Sequence, residues 1–292
     1  MSAGGPYTFL IEVTHPFCTA ALLAYLRVRA INGVELVKET CYSRTIRRGR
    51  IEGTLTVDLG AAERGTVVAR YSPSLAGELD FLRQRVGRLI DAVAPVSEIG
   101  PLLSRDPLLA PLVRQRPGVR IPGAVEPFEL AVRAILGQQI SVAGAVTLAS
   151  RVAGGWGPVL AAPEGQLRRA FPEPNDLAEA DLETIGLTRT KAEAIRRLAE
   201  SVAEEQIRLT PAAAGDQGEL ESLLAIPGIG PWTASYIYLR GLGDGDSIPI
   251  SDLGLRNAAG CETPKEFAAL SEAWRPWRGY AAMHLWCTYL PL

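Results

Sequence analysis

Two features carry the chemistry this chain can offer. The first is the turn Pro-Gly-Ile-Gly, residues 227–230, set between the apolar run Leu223–Ile226 and a helical pattern opening at Pro231. Glycines at 228 and 230 permit backbone shapes closed to other residues and leave no side chain in the way. Pro231 costs nothing at a helix start, and the free N–H groups of the first turn, helped by the helix dipole, can face an anion. A nucleic-acid phosphate is one such anion, and an ordinary helix–helix corner is the plainer alternative. The second feature is Asp252, placed after a short apolar loop and directly before a helical pattern. Asp252, or Ser251, can serve simply as an N-cap, worth about 1 kcal/mol. Beside a phosphate grip, the same carboxylate could face a nucleotide sugar and stabilise positive charge at C1′ while an N-glycosidic bond breaks. At ~4 Å and an effective dielectric of ~20, such a charge pair is worth about 4 kcal/mol. Felt only in the transition state, that is roughly a thousandfold in rate, and no metal is required.

The elements that must position these groups fall into two styles. Before about residue 95, "VELVKETCYSRTIRRGRIEGTLTVDLG" and "GTVVARYSPSL" alternate as short strands broken by glycine, with helical patterns at 18–30 and 75–92. This predicts a small antiparallel-sheet α+β domain over 1–95. From 96 to 292 the patterns are almost wholly helical, which predicts a compact helical region with a cleft and the hairpin at about 223–241. Pro127 opens one helix, and Ser141 caps the next, which Gly154 or Gly155 should stop.

Composition narrows the classes. The 292 residues are 47% hydrophobic and 21% charged, ordinary for a globular chain of about two domains. The formal net charge of −2 argues mildly against a dedicated nucleic-acid binder, but contact with phosphate needs only a local basic surface. Arg44, Arg47, Arg48, Arg50, Arg189 and Lys191 are the candidates for that surface. Cys18, Cys41, Cys261 and Cys287 are too scattered for a zinc ribbon or a cluster-binding loop, and His15 and His284 are too few for a multi-histidine site. No basic-then-apolar leader and no bilayer-length apolar run is visible, so a cytoplasmic, nucleoid-associated protein without membrane partners is expected.

Taken in order, "PFELAVRAILGQQISVAGAVTLASRV", "LLAIPGIGPWTASYIYLRG", "IPISDLGLR" and "WRPWRGYAAMHLW" resemble the helix-hairpin-helix/Gly-Pro-Asp DNA glycosylases. Within them, the 3-methyladenine DNA glycosylase II, or AlkA-like, group is the best match. The resemblance runs from about residue 105 to the C-terminus, and "LRVRAINGVE" with "CYSRTI" extends it into the first domain.

The resemblance implies an N-terminal α+β domain, a helical cleft that receives a flipped base, and Asp252 as the catalytic aspartate. It implies that Gly228, Ile229 and Gly230 grip phosphate, with a sodium or potassium ion held by the carbonyls of Leu224, Ile226 and Ile229. Relatives that also nick the strand carry a Schiff-base lysine where Trp232 stands, so a monofunctional enzyme is implied. No other cofactor and no iron–sulfur cluster are implied. Trp232, Tyr236, Trp286, Tyr25 and Leu253 match base-pocket positions, and an electron-rich aromatic box suits a cationic methylated base. Gln139 and Ile140 occupy the place of the side chain that fills the gap in the duplex, and Arg44 and Lys191 are expected at phosphate. Two departures stand out: polar Gln139 replaces a leucine, and Leu253 with the small Gly254 follows the acid. The expected partner is double-stranded DNA carrying alkylated bases of the 3-methyladenine and 7-methylguanine type, met by a monomer. A non-catalytic damaged-DNA binder and an 8-oxoguanine-type glycosylase/lyase are the alternatives.

Overall fold

The computed structural model describes residues 5–214 and 216–291. The first half forms a five-stranded antiparallel sheet of β1 (Tyr7–Glu12), β2 (Glu35–Lys38), β3 (Cys41–Arg48), β4 (Ile51–Asp58) and β5 (Thr66–Tyr71), in the spatial order β1-β5-β4-β3-β2. Its inward residues, among them Phe9, Ile46, Leu55, Val57 and Val67, pack against the helices Thr19–Arg27 and Leu79–Leu89. After it come the helices Pro127–Leu136, Val142–Trp156, Arg189–Ala203, Gln217–Ala225, Pro231–Ile237, Leu253–Ala259, Pro264–Ser271 and Arg278–Trp286. The class is therefore α+β, with an antiparallel sheet followed by a helical region. A two-stranded hairpin, β6 (Val159–Glu164) and β7 (Leu167–Arg169), interrupts the helices. The alternation around "AAPEGQL" is too short and too polar to announce it.

The helical residues divide into two cores. One gathers Phe128, Ala131, Ile135, Ile195, Leu198, Leu223, Ile229 and Ile237 around the hairpin. The other joins Ala21 and Tyr25 from the first helix to Ile99, Leu109, Trp274, Ala281, Met283 and Leu285. The helix starting at Val142 does not stop at Gly154 or Gly155 but runs through both to Trp156. A Cβ at either glycine would meet nothing within 4 Å, whereas one at Gly157 would lie 2.1 Å from the Ala170 carbonyl oxygen. Close backbone approach, not conformational freedom, decides where this helix ends.

Between sheet and helices lies a buried charge network. Arg44 on β3 donates to Glu129 at 2.5 Å and lies 3.9 Å from Glu35 on β2. Arg133, one turn along from Glu129, donates to both carboxylates at 2.9 Å. Tyr42 and the Ile31 N–H complete the shell of Glu35. Arg44 is only 4% exposed, so it cannot meet phosphate; buried acids on two elements account for its charge instead. Arg47 and Arg48 are likewise committed, to Asp176 with Glu173 and to Glu78.

Glu126 sits at the edge of this network with a buried Oε1 that has no partner among the described residues. Burial pushes its carboxyl up to about 7 despite the guanidiniums of Arg85 and Arg44. A raised acid contributes stability that is complete below its unfolded value near 4.5 and is lost as pH rises through 7. Glu126→Gln should therefore stabilise the fold by about 2–3 kcal/mol at pH ~8 and by almost nothing at pH ~4. Paired urea titrations at the two pH values check this.

Candidate active site

Asp252 is both an N-cap and the centre of a converging polar set. Its backbone is extended, at φ −63° and ψ 120°, and its Oδ1 accepts the Leu255 N–H at 2.9 Å, capping the helix Leu253–Ala259. The Trp286 indole donates to the same oxygen at 3.3 Å, and the Trp232 indole donates to Oδ2 at 2.9 Å. Three donors from three places thus fix one half-buried carboxylate. A cap needs only the first of them. The two indole bonds exceed what holding a short helix requires.

The indoles belong to a continuous aromatic wall. Trp232 and Tyr236, one helical turn apart, lie nearly parallel, with centroids 5.3 Å apart and planes 9° apart. Trp286 meets Tyr236 edge-on at 6.0 Å and 68°. Because Trp232 and Tyr236 are already in contact, only the outer faces of this wall are open to a planar ligand. Tyr25 is not part of the open wall. It is 0% exposed and stands behind Tyr236, hydroxyl to hydroxyl at 2.9 Å. It backs the wall, and a base cannot touch it in this structure. Leu253 is the opposite case, 61% exposed beside Asp252, a rim rather than a packed pocket face. Tyr289, 57% exposed, donates to the Gly254 carbonyl at 3.1 Å and places an aromatic ring beside that glycine.

The hairpin turn is built as its sequence suggests, with its roles divided. Gly228 has φ +95°, and a Cβ there would lie 3.0 Å from that of Ala194, so glycine serves both conformation and packing. Ile229 is buried, and its N–H returns to the Ile226 carbonyl at 3.0 Å. Its part is therefore to anchor the turn, and neither its side chain nor its N–H is open to DNA. Gly230 caps the helix Pro231–Ile237, and a Cβ there would meet nothing within 4 Å. Among the described residues, the N–H groups of Gly228 and Gly230 have no protein partner, whereas that of Ile229 does.

The turn at 137–141 approaches the hairpin. Gln139 adopts φ +58°, the left-handed region that strains most side chains, at an exposed tip. Ile140 beside it is 42% exposed. Gln138 ties this tip down, donating to the Gly228 carbonyl and the Thr233 hydroxyl at 2.8 Å each. Lys191 donates to the carbonyls of Leu136 and Gln138 at 2.9 and 2.8 Å. Its ammonium thus braces the tip from beneath, a role that its expected place at phosphate does not include. Sequence reasoning missed Gln138, and nothing in "GQQIS" separates it from its neighbour. It also missed Arg240, although an arginine inside the apolar run "SYIYLRGL" is itself a signal that a buried partner exists.

A glycine hairpin with unpaired N–H groups, a carboxylate at a helix start and an aromatic wall together define a helix-hairpin-helix architecture. Residues 8–126 match the AlkA N-terminal domain, and residues 132–273 match the HhH-GPD superfamily of base excision DNA repair proteins. The chain is 34% identical to DNA-3-methyladenine glycosylase 2 of Escherichia coli, covering 94% of each chain. It is 36% identical to a probable bifunctional transcriptional activator/DNA repair enzyme AlkA of Mycobacterium tuberculosis, over 98% of this chain. It spans 58% of the length of that relative. The 3-methyladenine DNA glycosylase of Archaeoglobus fulgidus shares the fold at a TM-score of 0.78 and 22% identity, over 95% of this chain and 96% of its own. The chain belongs to the AlkA branch of the HhH-GPD superfamily.

Proposed function

We propose that this protein is a monofunctional DNA glycosylase of base excision repair, which releases alkylated bases of the 3-methyladenine and 7-methylguanine type and leaves an abasic site. The observation that carries this is the Asp252 carboxylate, fixed by the indoles of Trp232 and Trp286 at the end of an aromatic wall. A ring-methylated base is a cation and already a good leaving group, so the site needs a π-face for the base and negative charge for the sugar. The wall supplies the first. As the glycosidic bond lengthens, positive charge grows at C1′ and the ring oxygen, and Asp252 stabilises it while water attacks.

The exposed hairpin donors of Gly228 and Gly230 would hold a phosphate beside the lesion, indifferent to base sequence. A monovalent cation at the carbonyls of Leu224, Ile226 and Ile229 belongs to the same proposal. The Ile226 oxygen already accepts the Ile229 N–H, so it would offer the ion its second lone pair. Gln139 or Ile140 would fill the gap left by the extruded nucleotide. No amine is available at position 232 to attack C1′, and Lys191 near the hairpin is held by two carbonyls. We therefore assign base hydrolysis without strand cleavage, performed by a monomer on chromosomal DNA.

The test is incubation with duplex DNA methylated at ring nitrogens, followed by chromatography of released bases and electrophoresis with and without alkali. Free methylated bases with strand breaks only after alkali are expected. Borohydride trapping of a covalent DNA complex would instead establish a lyase, and binding without release would leave a damage binder.

A further inference from the structure

The Tyr236 hydroxyl has two hydrogen-bond partners that the hydrolysis itself does not use. Arg240 Nη1 donates to it at 2.8 Å, and the Tyr25 hydroxyl lies 2.9 Å away. Arg240 is buried on a π-helical turn, Tyr238–Leu242, that continues the helix carrying Trp232 and Tyr236. The wider turn changes the direction in which this side chain leaves the helix. Its Nε donates to the Pro122 carbonyl at 2.6 Å, which fixes the guanidinium 4.8 Å from the Tyr25 ring centroid and 5.5 Å from that of Tyr236. The Arg29 guanidinium covers the Tyr25 ring at 3.7 Å.

We propose that Arg240 and Tyr25 are specificity-determining residues that act through Tyr236. Together they set whether the aromatic wall is neutral or anionic, and so favour a cationic base over a neutral one as the solution becomes more alkaline. This rests on the glycosylase reading above.

The physical case begins with the charges around Tyr236. From its own helix it faces Arg240 and stacks on Trp232. The first helix and the residues after it bring Tyr25 and Arg29, and the C-terminal helix brings Trp286. Asp252 lies across the two indoles, and Arg133 lines one cavity with Arg29 and Arg240. With Tyr236 neutral, the charges immediately behind the wall are therefore cations, which oppose a methylated base. Loss of the Tyr236 proton to solvent leaves a phenolate that accepts from both Arg240 and Tyr25. The pair with Arg240 is then neutral, and the ring facing the base is richer in electrons.

Burial alone would push the Tyr236 phenol up, but Arg240, Arg29 and the Tyr25 hydroxyl outweigh it and bring it to about 8. Tyr25, more deeply enclosed, is pushed up to about 12 and keeps the proton it donates.

The test pairs a spectroscopic titration with single-turnover kinetics on the full chain. Ultraviolet difference spectra should show one of the eight tyrosines ionising near pH ~8, with the signal absent in Tyr236→Phe. Tyr25→Phe, which keeps the ring and removes one donor, should raise that midpoint by about one unit. Release of 3-methyladenine, corrected for spontaneous loss, should rise about tenfold between about pH 6.5 and 9. That rise should track the midpoint in Tyr25→Phe and vanish in Tyr236→Phe. Arg240→Lys, which retains a cation, should preserve more of it than Arg240→Met. Ethenoadenine, neutral throughout, should show no rise. The absence of any tyrosine ionising below the ordinary value near ~10, a profile unmoved by Tyr25→Phe, or an equal rise with ethenoadenine overturns the proposal. Absence of release from any base at any pH overturns the glycosylase reading instead, while the spectra still decide how Tyr236 is tuned.

Discussion

Asp252→Asn is expected to lower single-turnover release of 3-methyladenine by about a thousandfold, with duplex binding changed by no more than a few-fold. The estimate follows from replacing one full charge, ~4 Å from the developing cation, by a neutral amide at an effective dielectric of ~20. Asparagine keeps an oxygen for the Leu255 N–H, so the cap of the helix Leu253–Ala259 survives. It loses one acceptor, and one of the indole donors at 2.9 and 3.3 Å is then left facing an amide NH₂. That local mismatch costs about 1–2 kcal/mol of stability, too little to unfold a chain of this size. Measuring release and affinity for an abasic-analogue duplex on the same preparations separates the two effects. Undiminished release would mean that the charge acting on the sugar is not Asp252.

The line between what the sequence discloses and what it hides follows the range of the interactions. The turn at 227–230 and the helix start at 252 are local chemistry, written in consecutive residues, and the structure builds both. The meeting of Trp232, Tyr236 and Trp286 is long-range, and residue patterns alone do not supply it; only family resemblance places those rings together in the sequence. Tyr25 was misplaced because its helix is apolar all round, so "CTAALLAYLRVRA" does not say which face meets the cleft. Gln138 and Gln139 are identical side chains with opposite uses, one a tie and the other an exposed tip. Backbone shape at φ +58° distinguishes them, and that shape is not encoded in residue type. Arg44 was more legible than the expectation at phosphate allowed. With Tyr42 and Ile46 it occupies every second place on β3, and period-two alternation puts all three on one face. Tyr42 and Ile46 are core residues, so an arginine between them implies buried acids elsewhere in the chain. Glu129, inside the apolar run "PFELAVRAIL", is one of them.

That assignment leads to the second large effect. Arg44→Met should destabilise the fold by about 3–5 kcal/mol near neutral pH, the range for removing one partner of a buried ion pair. Glu129, bonded to Arg44 at 2.5 Å, and Glu35 would then share Arg133 alone. The pH dependence has a definite sign. Burial opposes ionisation of Glu35, but Arg133, Arg44 and Tyr42 outweigh it and hold its carboxyl below the usual value near 4.5. A depressed acid contributes stability that is present above its unfolded value and lost as pH falls through the folded one. The gap between wild type and Arg44→Met should therefore narrow below pH ~4.5, which denaturant midpoints across pH will show. Adding Glu129→Gln to Arg44→Met should recover part of the loss, because fewer unpaired charges stay buried. DNA binding distinguishes this role from a phosphate contact. A lost phosphate contact would reduce the salt slope of log K by about one unit. A buried strut should leave that slope unchanged under conditions where the variant remains folded. The network also reaches the wall, since Arg133 donates to the Arg29 carbonyl and Arg29 covers Tyr25. Any loss of base release by Arg44→Met should accordingly appear as a shifted pH profile rather than as weaker binding.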